Sequence, residues 1–223
     1  ASAMGRFIWG NQSEPDPHRD GRSEPVPRGK LMGGCSSING TMYIRGAAAD
    51  YDGWRDMGLP GWAYDDVLPY FRRSETNWRG VSDEHGAEGE MHVSPMTPDP
   101  VLFPAFIETA KRLGYPASED FNVARPDGFG IPDCTIKNGR RHSTVRAFID
   151  PVKRRPNLRI ETHAVVTRLL IENGRGVGVE FRRGGQLHQI RARREVIVSG
   201  GAINSPQILM LSGIGPAMHL KAM

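Results

Sequence analysis

Residues 28 to 50, Arg-Gly-Lys-Leu-Met-Gly-Gly-Cys-Ser-Ser-Ile-Asn-Gly-Thr-Met-Tyr-Ile-Arg-Gly-Ala-Ala-Ala-Asp, restrict the possible folds of this 223-residue chain more than any other stretch. Gly33-Gly34 removes two side chains in succession, so a flat ring or a phosphate can pack on the main chain, and Gly40 allows a sharp turn. Cys35, Ser36 and Asn39 place polar groups beside that main chain. Leu31, Met32, Ile38 and Met42 flank the loop with apolar side chains, which predicts a buried position. Buried irregular backbone needs partners for its polar groups, and a cofactor can supply them. A short helical or irregular stretch is expected to follow.

A second run, Ser199 to Pro216, reads Ser-Gly-Gly-Ala-Ile-Asn-Ser-Pro-Gln-Ile-Leu-Met-Leu-Ser-Gly-Ile-Gly-Pro. Before it, Glu195-Val-Ile-Val-Ser199 has the apolar run of a fully buried strand. Gly200-Gly201 would then let a ligand approach the backbone. A helix is expected from about Ser205, with Pro206 in its first turn, aiming free N–H groups at that ligand. Taken alone, this unit reads first as an ordinary strand-to-helix turn rather than a ligand site.

Between the two runs the pattern is mixed. Residues 5 to 30 are polar, with Phe7, Ile8 and Trp9 as an apolar anchor, and read as an extended segment draped over a larger body. Gly61 to Asp66 leads into a short helix carrying Val67, Leu68, Tyr70 and Phe71, with Asp65 and Asp66 in its first turn. Residues 78 to 98 read as loop with a short strand near Met91 to Val93. Asp99-Pro100 opens a helix with the stripe Leu102, Phe103, Phe106, Ile107, Ala110 and Leu113, which Gly114 stops. Another helix is expected at Ser143 or Thr144, limited by Pro151. After Pro156 short strands take over, at Leu158–Thr162, Val165–Ile171, Val177–Phe181 and Leu187–Ala192. Asn173-Gly174 and Gly184-Gly185 are the hairpin turns between the last three.

Composition narrows the chemistry. The net charge of +4 sits in short arginine clusters at element ends, without the interleaved aromatic groups of a nucleic-acid face. The chain has 2 cysteines, Cys35 and Cys134, far apart, which suits neither a disulfide framework nor a zinc site. Its 7 histidines include no His-Glu-x-x-His pattern, so no metal is expected. No apolar stretch is long enough to cross a membrane, and the N-terminus lacks a secretory pattern. Trp54 and Trp62 are expected to pack rather than to carry substrate.

The two glycine-rich runs together resemble the paired signatures of the glucose–methanol–choline (GMC) flavoprotein oxidoreductases. Gly201-Ala-Ile-Asn-Ser-Pro206 matches the opening of the second signature, and Ser212-Gly-Ile-Gly215 its close. The likeness continues through Asp50-Tyr-Asp-Gly-Trp54, Gly58 to Asp66, Leu68 to Glu75, Gly139-Arg-Arg-His-Ser-Thr144 and Thr162-His-Ala-Val-Val166. It runs from about residue 7 to 223 and is strongest toward bacterial choline-dehydrogenase-like and alcohol-dehydrogenase-like members.

The resemblance implies an α/β fold. It would be an FAD-binding domain of the GMC type, lacking its N-terminal βαβ unit, with part of an α+β substrate-binding domain. Residues 5–77 would be an FAD-domain segment with the first signature, and 78–156 a substrate-domain segment. Residues 157–216 would be an FAD-domain segment with the hairpins and the second signature, and 217–223 the start of a further substrate-domain segment. By the same likeness Gly33, Gly34, Cys35, Asn39, Gly40 and Met42 contact or flank the flavin. Val166 faces the adenine through its backbone, and Gly200, Gly201 and Ala202 belong to the second signature's cofactor contact. Cys35 replaces the usual Ser or Thr. Ile38 stands where some members tether the flavin through histidine, which implies non-covalent FAD.

The implied activity is oxidation of a primary alcohol, choline or another, to an aldehyde by hydride transfer to FAD, with oxygen or a membrane quinone taking the electrons. The implied partner is a small-molecule alcohol, with no nucleic acid and no transmembrane segment, at a cytoplasmic location or peripheral to the inner membrane. The family's phosphate fingerprint, Gly-x-Gly-x-x-Gly, does not occur, and its catalytic pair, a histidine with a second histidine or an asparagine, would lie beyond residue 223. No catalytic residue is therefore assigned. The chain alone is expected to be inactive and to bind FAD weakly. The alternative is a non-enzymatic structural or interaction module derived from the same fold.

Overall fold

Tertiary contacts in the computed structural model, which describes residues 5–99 and 101–222, separate the chain into two units, Ala1–Leu158 and Arg159–Met223. Expected Pro100, at the first helical position, lies outside the described residues.

In the first unit, β1 (Ile8–Trp9) pairs antiparallel with β2 (Arg28–Gly29), and bridges at Gln12↔Pro25 and Asp16↔Arg22 continue the contact outward. The expected extended segment is thus an irregular ribbon folded back on itself, its backbone polar groups satisfied across the ribbon. Lys30 anchors the base, its ammonium 4.6 Å from the Trp9 ring centroid.

The central sheet of this unit has the order β3-β6-β5-β4, from β3 (Met42–Tyr43), β4 (Glu75–Asn77), β5 (Met91–Pro95) and β6 (Asp133–Cys134). β4 and β5 are parallel, whereas β6 is antiparallel to both β5 and β3. Met91, Val93 and Ala147 form the small apolar core, with Tyr43 packed against it. β5 covers the expected strand near Met91. β4 was not foreseen, because its inward residues are Glu75 and Asn77, and an apolar periodicity cannot reveal a strand with a polar buried face.

Helix α1 (Ala48–Asp56) follows β3 and packs on α2 (Tyr64–Ser74). Asp66 in the first turn of α2 accepts the Ala63 N–H at 3.1 Å, the end-capping role expected of that acidic pair. Trp54 and Trp62 meet edge to face at 5.7 Å, which is packing. Helix α3 (Leu102–Arg112) stops at Gly114, whose φ is 86°, and Asp99 accepts the Val101 and Leu102 N–H groups at 2.9 and 2.7 Å. Beyond it, β7 (Ile136–Lys137) and β8 (Arg140–Arg141) form a tight hairpin. The helix expected at Ser143 is a single wide turn, Val145–Ile149, closed by the Asp150 N–H on the Val145 carbonyl at 2.8 Å.

In the second unit, β9 (Val165–Glu172), β10 (Arg175–Arg183) and β11 (Gln186–Arg191) form an antiparallel meander around Leu169 and Phe181. Both two-residue turns lie where expected, and Asn173, Gly174, Gly184 and Gly185 all have the positive φ of primed hairpin turns. Two expected strands are absent. Residues 158–162 pair with nothing among the described residues. Residues 195–199 are also unpaired, with Ile197 76% exposed, so the reading of a fully buried strand is corrected. An apolar run becomes a strand only where a neighbour supplies the ladder. Helix α4 begins at Gly201, not Ser205, and runs to Leu211, placing Pro206 in its interior. It packs on β9, and the Ser212 hydroxyl oxygen accepts the Leu169 N–H at 2.8 Å. A short α5 (Ala217–Ala222) follows, and no described helix is long and apolar enough to cross a membrane.

Candidate functional site

The first glycine-rich run folds as one loop between β2 and β3. Gly33 has φ of 84°, and a Cβ there would lie 2.5 Å from Ser37 Oγ and 3.1 Å from Val145 Cγ2, so conformation and space both require glycine. Residues Gly34–Ser37 then form one tight helical turn.

Two distant residues hold this loop. The Ser36 hydroxyl donates to the Gly33 carbonyl at 2.6 Å, which uses its only proton. Its oxygen therefore accepts from the Thr144 hydroxyl at 3.0 Å and the Thr144 N–H at 3.1 Å. Arg141 donates through Nη1 to Asn39 Oδ1 at 2.6 Å and to the Ser36 carbonyl at 3.2 Å. Asn39 Oδ1 also accepts the Thr41 N–H at 3.1 Å, which fixes Thr41 at a φ of 66°. Cys35 is exposed, and its sulfur accepts the Gly29 N–H at 3.4 Å.

The loop is less buried than its flanking apolar residues predict. Met32 and Met42 are exposed, Met42 to 58%, and Ile38 is half-buried. Held by hydrogen bonds to Arg141 and Thr144 rather than by packing, the loop keeps its apolar side chains on the surface. At Gly40 an added Cβ would meet nothing within 4 Å. Open main chain, exposed methionine and a fixed amide oxygen are the features that receive a flat ring system, and in this respect the residues fit a flavin.

The other expected cofactor residues lie in the second unit. Val166 is half-buried on β9 opposite Phe181, three positions from the Leu169 that meets Ser212. Gly200, Gly201 and Ala202 are exposed at the N-terminal end of α4, where unpaired helix N–H groups favour an anion. Gly33, Gly34, Cys35, Asn39, Gly40 and Met42 share one loop of the first unit, while these four residues belong to the second.

Sequence reasoning missed a buried ionic cluster in the first unit. Arg45 Nη2 lies 2.7 Å from Glu75 Oε1, and both side chains are almost wholly inaccessible. His85 bridges two carboxylates, with Nδ1 2.9 Å from Glu75 Oε1 and Nε2 2.6 Å from Asp120 Oδ2. Arg79 pairs with Asp133 and lies 3.6 Å from Asp120. The Asp120 and Glu75 hydrogen bonds outweigh burial and raise the His85 pKa to about 9, so it is an imidazolium at neutral pH. Burial pushes Glu75 up, but the His85 bond, the Arg45 charge and the Gly86 N–H hold it below the ordinary range. Burial, and then the Glu75 charge, push Tyr43 up to about 12. The cluster ties β3, β4, the 78–90 crossover and the segment around residue 120 together beside the loop's own strand.

A family model described as GMC oxidoreductase matches residues 11–221. The chain is similar to the oxygen-dependent choline dehydrogenase of Sinorhizobium fredii, with 46% identity over 219 residues, 98% of this chain and 40% of that protein. It is similar to the protein of that description from Rhizobium etli, with 47% identity over 221 residues, 99% of this chain and 40% of that one. Among solved structures it resembles pyridoxine 4-oxidase from Mesorbium loti at a TM-score of 0.90 and 32% identity, over 97% of this chain and 43% of that chain. It also resembles a variant formate oxidase of Aspergillus oryzae, described for its FAD modification, at a TM-score of 0.84 and 29% identity, over 98% and 40%. The chain thus spans about 40% of the length of the curated relatives it matches.

Proposed function

The chain belongs to the GMC oxidoreductases, a family of FAD-dependent flavoproteins, and on that premise we propose that it acts within an enzyme oxidising a small primary alcohol of the choline type to an aldehyde, with oxygen as final acceptor. The observation that carries this reading is the 33–42 loop, fixed from outside by Arg141 and Thr144 with its Gly40 main chain left open. FAD, when bound, supplies the hydride acceptor.

The chain's own residues bind and orient. Gly33, Gly34, Asn39 and Gly40 offer main chain and an amide to the ring system, and Met42 flanks it. Val166 and the 200–202 turn serve the nucleotide end. Residues 5–77 and 157–216 are assigned to the FAD-binding domain, 78–156 to the substrate-binding domain, and 217–223 to the start of a further substrate-domain segment. No residue here is assigned as the base that takes the hydroxyl proton, so the 223-residue chain alone is expected to turn over no alcohol.

The test is an FAD titration of the chain read by flavin fluorescence, repeated with Gly40→Val. Gly40 tolerates a side chain conformationally, but the valine would fill the open space, and overpacking of about 1–3 kcal/mol corresponds to roughly 5- to 150-fold in affinity. Weak saturable binding that the substitution abolishes is expected. Equal binding by both proteins would remove the loop from the site.

Ile38 presents no nitrogen to the flavin. Acid precipitation of flavin-loaded protein should therefore release all of the flavin to the supernatant. Colour retained in the washed pellet would refute non-covalent attachment.

A further inference from the structure

The β7–β8 hairpin carries an unresolved repulsion. Its two-residue turn, Asn138-Gly139, has φ of 51° and 71°, and its register sets Lys137 directly opposite Arg140. Opposed residues project from the same face, and like charges so placed destabilise a strand pair. A cavity of about 560 Å³ opens here, lined by Lys137, Arg140, Arg141, His142, Arg146 and Asp150 among others. Asp150 is already paired with Lys153 at 3.0 Å. Among the described residues none of Lys137, Arg140, Arg141 and Arg146 forms an ion pair.

His142, only 8% exposed, accepts the His92 N–H on Nδ1 at 3.1 Å, which leaves its proton on Nε2. That Nε2–H has no protein acceptor among the described residues. Burial first, and then the charges of Lys137 and Arg146, hold His142 below its ordinary range, and burial with Lys137 does the same to His92. Both rings are neutral in a positive field.

We infer that this cavity binds a small phosphate-class anion, such as inorganic phosphate or diphosphate, through Lys137, Arg140, Arg146 and the His142 Nε2–H. Guanidinium groups meet phosphate oxygens in pairs, and a multivalent anion between Lys137 and Arg140 turns their repulsion into a bridge. The lining holds no Phe, Tyr or Trp, and its one aromatic ring, His142, is only 8% exposed, which separates the site from the stacking platforms of a single-stranded nucleic-acid groove.

The probe is sodium pyrophosphate, titrated calorimetrically into the 223-residue chain against sodium chloride of equal ionic strength, with thermal melts in parallel. Saturable binding with a raised Tm is expected for pyrophosphate only. In Lys137→Gln/Arg140→Gln, affinity should fall by about tenfold or more, the scale of one lost charge-assisted hydrogen bond. The anion-free Tm of that variant should match or exceed the unmodified chain's, which distinguishes lost binding from lost folding. An equal effect of chloride, or undiminished binding in the variant, would overturn the assignment. Displacement of pyrophosphate by FAD would also overturn it, since the cations would then serve the cofactor's own diphosphate.

Discussion

Glu75→Ala is expected to destabilise the first unit by about 3–5 kcal/mol, because it strands the Arg45 guanidinium and the His85 imidazolium in the interior. For a unit of this size that corresponds to a Tm lower by about 10–15 °C. Glu75 is fully buried, and one of its oxygens serves Arg45, His85 and the Gly86 N–H together. Glu75→Gln keeps the shape without the charge and should cost less, because Asp120 still pairs with His85 Nε2 while the His85 pKa falls only by the share that Glu75 supplied. The measurement is urea unfolding followed by circular dichroism. A loss under 1 kcal/mol for the alanine variant would mean that the cluster is solvated in solution and ties nothing together.

The second large effect is a loss of stability on the alkaline side. His85 is raised from its ordinary 6.5 to about 9 by Asp120 and Glu75, so folding takes up its proton. That stabilisation is fully present below pH 6.5, shrinks as pH rises, and is gone above about pH 9. A shift of this size corresponds to about 3 kcal/mol. Glu75 and Asp120 are held low, and their contribution runs the other way, present above the ordinary carboxylate range and lost as pH falls through it. The chain should therefore be most stable between about pH 5 and 6.5. His85→Gln should be less stable at pH 6 yet lose little more between pH 6 and 9. If it loses as much as the unmodified chain over that interval, another group carries the dependence.

The cluster marks where sequence reading stops. Local rules sufficed for the second unit's meander, because Asn173-Gly174 and Gly184-Gly185 specify turns within two residues and the strands alternate. They sufficed for α2 and α3, whose caps and stops are neighbours in the chain. They failed at residues 195–199, where an apolar run implied a partner strand that no described residue supplies, and at β4, where the buried face is polar. His85 and Asp120 lie 35 positions apart, and neither has a flanking pattern that announces the other.

The candidate site divides the same way. The sequence by itself determined the glycine-rich loop, the family it signals and the hairpins, since each depends on residue types at fixed short spacings. Only the tertiary structure decided that Arg141 and Thr144 hold the loop, that Lys137 faces Arg140 across a shared cavity, and that Glu75, His85 and Asp120 share one buried field. Hydrogen bonds and ion pairs between distant segments carry no sequence period, because their partners meet only after the chain has folded.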